Sequence, residues 1–222
     1  MPTALITGAS GGLGAAIAAA LAPTHTLLLG GRPSPRLDKV ADALGATTWP
    51  LDLSDTDSLA ASAEVIDQLD VLVHNAGVAF PDHLADSNVD DWRNTFDINV
   101  IGPVALTQSL LPALRRAEGQ VIFINSGAGL NVLPGMASYS ASKFALRAFA
   151  DSLRVEEPAL RVSSMHPGRI ATEMQRQLRE FEGGGYDEAA YLRPETVAEA
   201  VAKVISTPPD AQVNQVIIRQ RG

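Results

Sequence analysis

Short apolar runs recur along the chain and alternate with longer amphipathic or alanine-rich stretches. Thr3 to Thr7 is the first run, and it passes through a glycine-rich turn into an alanine-rich stretch that Pro23 stops near Ala22. That pattern predicts strand, turn and helix. Thr26 to Leu29 predicts a second strand, Arg36 to Leu44 a second helix, and Thr47 to Leu51 a third strand. Ser54 is placed to cap a helix through Leu69, with Asp55 and Asp57 in the first turn, where negative charge is favoured. Strands follow at Asp70 to His74, Val121 to Asn125, Arg161 to His166 and Val213 to Arg219. Helices are predicted from about Asp90 to Leu114, bent near Gly102-Pro103, from Tyr139 to Glu156, and from Pro194 to Ile205. Thr172 to Tyr186 reads as a polar, glycine-rich excursion.

Several of these strands are almost wholly apolar, as a sheet covered on both faces requires. Their alternation with helices predicts an α/β fold, a single-domain doubly wound (Rossmann-type) parallel sheet of about seven strands with helices on both faces. One domain over residues 1–222 is expected, with residues 172–193 as a substrate-side lid.

Composition narrows the function classes. The chain has 222 residues, 46% of them hydrophobic and 19% charged, which is a globular composition. A formal net charge of −8 argues against nucleic acid as the main partner, because phosphate backbones call for a basic face. The absence of cysteine excludes disulfides, thiolate catalysis and Cys-ligated metal. His25, His74, His83 and His166 are scattered without metal-ligand spacing. No apolar run has membrane-spanning length and no basic segment precedes the first strand, so a cytoplasmic protein without signal peptide or membrane partner is expected.

Two stretches carry candidate chemistry. Gly8-Ala9-Ser10-Gly11-Gly12-Leu13-Gly14 joins the first strand to the first helix with the spacing G-x-x-x-G-x-G. This is neither the general dinucleotide fingerprint nor a P-loop. Its glycines still permit a tight turn, and the helix that follows offers free N–H groups to a pyrophosphate. A βα turn without a ligand is the plain alternative. Tyr139 and Lys143 stand one helical turn apart, so they share a face. An ammonium beside a phenol favours the phenolate and lowers a pKa that starts at about 10. Alone, the pair is equally a surface tyrosine and lysine. Ser126 lies upstream across a glycine-rich loop.

Taken together these motifs resemble those of the short-chain dehydrogenase/reductase family, small NAD(P)-dependent oxidoreductases. Thr7 to Gly14 matches the family's cofactor turn, Asn75-Ala76-Gly77 its N-A-G motif, and Pro167-Gly168 with Thr172 its P-G-x-x-x-T segment. Asn99, Ser126, Tyr139 and Lys143 match its catalytic tetrad, in the family's order. The resemblance implies that Tyr139 is the general acid/base and that Ser126 orients the substrate oxygen. Lys143 would lower the tyrosine pKa and hold the nicotinamide ribose, and Asn99 would hold a proton-relay water. It places Ser10, Gly11, Gly12 and Leu13 with Gly8 and Gly14 on the pyrophosphate, and Asn75, Ala76 and Gly77 beside the adenosine ribose. Ile170 and Thr172 would meet the carboxamide.

NADP(H) is expected over NAD(H). The second strand ends in Gly30-Gly31-Arg32, with no acid for the ribose hydroxyls, and Arg32 could bind a 2′-phosphate, helped by Arg36 or Lys39. A solvated loop arginine is the alternative. Many NADP-preferring relatives carry a basic residue inside the turn, where this chain has Gly11. Asp52-Leu53 reads equally as an adenine contact and as a helix cap.

The substrate implied is a small carbonyl compound or secondary alcohol. Its expected walls are Ala128, Leu130, Val132, Leu133, Met136, Met174, Leu178, Phe181 and Tyr186. Gly183-Gly184-Gly185 is either a lid hinge or a flexible loop. Two helices, around Phe96 to Leu111 and Phe144 to Val155, are apolar nearly all round, which predicts a homodimer or homotetramer. The competing readings are a non-catalytic NADP(H)-binding regulator and an epimerase or dehydratase that retains its cofactor.

Overall fold

The computed structural model describes residues 1–221. Seven strands, β1 (Thr3–Thr7), β2 (Thr26–Gly31), β3 (Thr47–Pro50), β4 (Val71–His74), β5 (Gln120–Ile124), β6 (Arg161–Pro167) and β7 (Gln215–Ile218), form one sheet. Its order is β3-β2-β1-β4-β5-β6-β7, and every neighbouring pair is parallel. The helices are α1 (Gly12–Leu21), α2 (Pro35–Leu44), α3 (Thr56–Ala63), α4 (Val89–Phe96), α5 (Gly102–Ala117), α6 (Ala137–Glu156), α7 (Glu173–Phe181) and α8 (Pro194–Ile205).

β1 explains why the strands read as unbroken apolar runs. Side chains alternate across a strand, so Ala4 and Ile6 enter one core while Leu5 between them enters the other. The first core is closed by Ile17 of α1, Leu37 of α2 and Val201 of α8. The second is closed by Leu59 of α3, Leu110 of α5 and Leu146 of α6. Strand order turns back between β1 and β4, and in such sheets ligands bind beyond the carboxyl ends of the strands at that switch point.

Three elements differ from expectation. α3 is capped by Asp55, whose carboxylate accepts from the Ser58 N–H at 3.2 Å, and it stops at Ala63 rather than reaching Leu69. Ser54 instead donates to Asp52. The long helix expected from Asp90 to Leu114 is broken by a π-helical turn over Asp97–Ile101. That turn ends directly before Gly102-Pro103, where a bend is expected, and Pro103 has no N–H to offer the Asn99 carbonyl four residues back. The Thr172 to Tyr186 segment contains α7, capped by the Thr172 hydroxyl, which accepts from the Gln175 N–H at 3.4 Å. Gly183, at φ 68°, lets the chain turn away after it.

Candidate active site

The glycine turn is built by the ends of β1 and β4. The Thr7 hydroxyl accepts from the N–H groups of Asn75 and Ala76 at 3.0 and 3.1 Å. The Asn75 side-chain amide donates to the carbonyls of Thr7 and Gly8 at 3.0 and 3.2 Å. So close is this stitching that a Cβ on Gly14 would lie 2.2 Å from the Gly8 carbonyl oxygen. Gly12 turns at φ 53°. Gly11, at the N-cap of α1, offers no side chain, so the opening N–H groups of the helix have no side-chain acceptor.

Arg32 is exposed at the end of β2. Asp52 accepts from the Ser54 hydroxyl at 2.7 Å and its N–H at 3.0 Å. Those bonds hold its carboxyl below the usual range, and the nearby Arg32 guanidinium adds to the effect. Asp52 therefore faces Arg32 and is not the cap of α3.

The four expected tetrad residues come from three elements: the π-helical turn (Asn99), the loop after β5 (Ser126) and α6 (Tyr139 and Lys143). Ser126 follows β5 and accepts from the Ala128 N–H at 3.1 Å, which leaves its own hydroxyl proton free to donate. Its backbone is fixed on both sides. The N–H donates to Asn125 Oδ1 at 2.8 Å, and the carbonyl is 3.0 Å from Nδ1 of His166. Because a carbonyl only accepts, that nitrogen carries the imidazole proton. Asn125 in turn donates to the Lys143 carbonyl at 3.0 Å, tying the Ser126 loop to α6.

Lys143 is only 3% exposed, and its ammonium donates to the Ile124 carbonyl at 3.1 Å. Burial lowers its pKa to about 8. Tyr139 is half-buried, and burial raises its phenol above the ordinary value while hydrogen bonding with Ser126 opposes the rise.

Asn99 sits in the π-helical turn with no exposed surface. Its Oδ1 accepts from the Val78 N–H at 2.8 Å, and its Nδ2 donates to the Val78 carbonyl at 2.9 Å and to Ser142 Oγ at 3.0 Å. The side chain is committed to pinning the loop after β4 against α6.

One cavity of about 1480 Å³ joins these parts. It is lined by Gly8, Ser10, Gly11, Gly12, Leu13 and Gly14, by Arg32, Asp52 and Leu53, and by Asn75, Ala76 and Gly77. Ser126, Tyr139, Lys143, Pro167, Gly168, Ile170 and Thr172 complete it on the other side, so every expected site residue except Asn99 reaches it. Of the expected walls, Ala128, Leu133, Met136, Met174 and Leu178 line it, but Leu130, Val132, Phe181 and Tyr186 do not. Val132 is 77% exposed, Tyr186 stacks on Tyr191, and Phe181 packs on His83. Sequence reasoning missed His166, Gln175 and Arg219. Only His166, beside Pro167-Gly168, carried a positional signal. Arg219 donates to the His166 carbonyl at 2.6 Å.

The residues present fit a nicotinamide dinucleotide. The cradle is side-chain-free where a pyrophosphate would approach, uncapped helical N–H groups open onto it, and the cavity continues to Ser126 and Tyr139. Residues 2–183 match the family model described as short chain dehydrogenase. The chain is 33% identical to dehydrogenase/reductase SDR family member 11 of Mus musculus over 97% of its own length and 93% of that protein. It is 34% identical to glycine betaine reductase ATRR of Emericella nidulans over 98% of its length, spanning 18% of that longer protein. The solved alcohol dehydrogenase of the archaeon Thermococcus sibiricus, complexed with 5-hydroxy-NADP, superposes with a TM-score of 0.89. That likeness covers 100% of this chain and 99% of the other at 30% identity. A seven-stranded parallel sheet, a glycine cradle at its switch point and this breadth of similarity place the chain in the short-chain dehydrogenase/reductase family of oxidoreductases.

Proposed function

We propose that the protein transfers hydride between NADP(H) and a small carbonyl compound or secondary alcohol. The observation that carries this reading is the opening of Ser126 and Tyr139 onto the same cavity as the glycine cradle. Bound nicotinamide would supply the hydride. The chain's own residues supply position and a proton. In the reducing direction Ser126 turns its hydroxyl proton from Tyr139 to the substrate oxygen as a hydrogen bond, and Tyr139 protonates that oxygen as charge develops on it. A phenol raised above its ordinary value holds its proton at neutral pH and still yields it to an alkoxide, which is far more basic than a phenolate. Lys143, with a pKa of about 8, is the group behind Tyr139 able to give or take the next proton near neutrality, and it spends only one of its three donors on Ile124. The others are available to the nicotinamide ribose. Asn99 keeps the loop carrying Gly77 against Lys143.

Arg32 supports NADP(H), since a 2′-phosphate would compete for it against the weaker field of Asp52. Exposed Phe144 and Ile101, 41% and 47% accessible on α6 and on the π-helical turn before α5, support a homodimer or homotetramer packed through those helices. The test is a fluorescence titration of NADPH against NADH, followed by a screen of aldehydes and ketones with the tighter cofactor. Tighter NADPH binding with turnover of a carbonyl supports the reading. Binding of neither, or NADH preferred, contradicts it.

A further inference from the structure

Gln175, in the first turn of α7, is 4% exposed and lines the cavity that holds Ser126 and Tyr139. Its side-chain Nε2 is buried and meets no acceptor in the protein. Five buried side-chain nitrogen or oxygen atoms are unpartnered among the described residues, and Gln175 alone belongs to a residue lining this cavity. A buried donor left unpaired carries its full desolvation penalty, so an apolar side chain would be the more stable occupant. Glu173, Met174 and Leu178 of α7 also line the cavity, and none of them is an acceptor for the Gln175 amide. A glutamine kept there points to a ligand.

The course of α7 says which part of the ligand. At one end Thr172 packs on the glycine turn, 3.4 Å from where a Cβ on Gly12 would be. At the other Phe181 packs on Gly135, in the loop that leads to Tyr139. A helix rises about 1.5 Å per residue, so Gln175 stands about 4.5 Å past Thr172 and about 9 Å short of Phe181. It lies over the stretch between the pyrophosphate cradle and the reacting ring, nearer the cradle.

We infer that Gln175 is a cofactor-binding residue whose side-chain amide donates to an oxygen of the nicotinamide mononucleotide half. The inference rests on the proposed function. It makes α7, which begins just after Thr172, part of the cofactor site.

The test uses the full chain as wild type, Gln175→Leu and Gln175→Glu, titrated with NADPH and with adenosine 2′,5′-bisphosphate, which lacks the nicotinamide half. Gln175→Leu should weaken NADPH about fivefold, the equivalent of about 1 kcal/mol, and leave the bisphosphate unchanged. Gln175→Glu, which is isosteric and cannot donate when ionised, should weaken NADPH further, and it carries the test if the leucine variant folds poorly. Unchanged NADPH affinity in the variants overturns the inference. So does an equal weakening of both probes, which would mean a loosened site. If the wild type binds neither probe, the proposed function itself fails and the inference falls with it.

Discussion

The Lys143 ammonium lies 5.6 Å from the centroid of the Tyr139 ring and donates to the Ile124 carbonyl at 3.1 Å. It is a buried cation with one backbone acceptor, and its pKa falls from 10.5 to about 8 because burial disfavours the charge. A lysine with a lowered folded pKa destabilises the fold below that pKa. The penalty fades as pH rises from about 8 towards 10.5, where the unfolded chain also loses the proton. Lys143→Met should therefore raise thermal stability at pH 7, by at most about 3 kcal/mol, with the gain over wild type shrinking as pH approaches 10. The same variant should lose turnover at least about a hundredfold. Melting curves of the two proteins across pH check the first claim, and steady-state assays the second.

The proposed preference for NADP(H) rests on Arg32, whose charge Asp52 partly offsets. Arg32→Ser removes a partner for the 2′-phosphate, so NADPH affinity should fall about tenfold or more while NADH affinity stays within about twofold. Paired titrations of one preparation give the ratio directly.

The glycine turn makes a steric prediction. A Cβ on Gly14 would sit 2.2 Å from the Gly8 carbonyl oxygen and 2.6 Å from the Asn75 amide nitrogen, both fixed by β1 and β4. Gly14→Ala should destabilise the fold by more than about 3 kcal/mol and abolish cofactor binding. Gly11 is extended, and a Cβ there would meet nothing within 4 Å, so Gly11→Ala should fold as wild type. Chemical denaturation of the pair separates crowding from a general intolerance of the turn.

His166 acts on the site through Ser126. Burial lowers its pKa, and Arg147 and Arg219 oppose protonation further while Asp151 favours it. The imidazole is thus neutral at pH 7, with Nδ1–H on the Ser126 carbonyl. His166→Ala should lower kcat about tenfold with little change in NADPH affinity, because the serine is displaced and the cradle is not. The folded pKa is depressed, so wild-type stability is full above 6.5 and declines as pH falls below it, and the variant should show less of that acid sensitivity.

Much of this site was legible because it is local. Gly8 to Gly14, Tyr139 with Lys143, and Pro167-Gly168 are contiguous or one turn apart, and the two-faced strands announce a covered sheet. What escaped depends on contacts between distant segments. The Lys143 bond to Ile124 crosses 19 positions and the His166 bond to Ser126 crosses 40, and no local pattern encodes either. α7 escaped for a different reason. Its Glu173 to Phe181 stretch is polar and runs into three glycines, so it resembles a loop until Thr172 is seen capping it. The π-helical turn ends just before Gly102-Pro103, and Pro103 has no N–H for the Asn99 carbonyl four residues back, but the sequence does not say that the chain answers by widening the helix there.

On the proposed mechanism Tyr139 is the proton donor to the substrate oxygen. The most direct test is the rate of NADPH oxidation by Tyr139→Phe, at saturating NADPH with a carbonyl substrate that the wild type reduces. The kcat should fall about a hundredfold to ten-thousandfold with NADPH affinity retained. Turnover by the phenylalanine variant at the wild-type rate would contradict it.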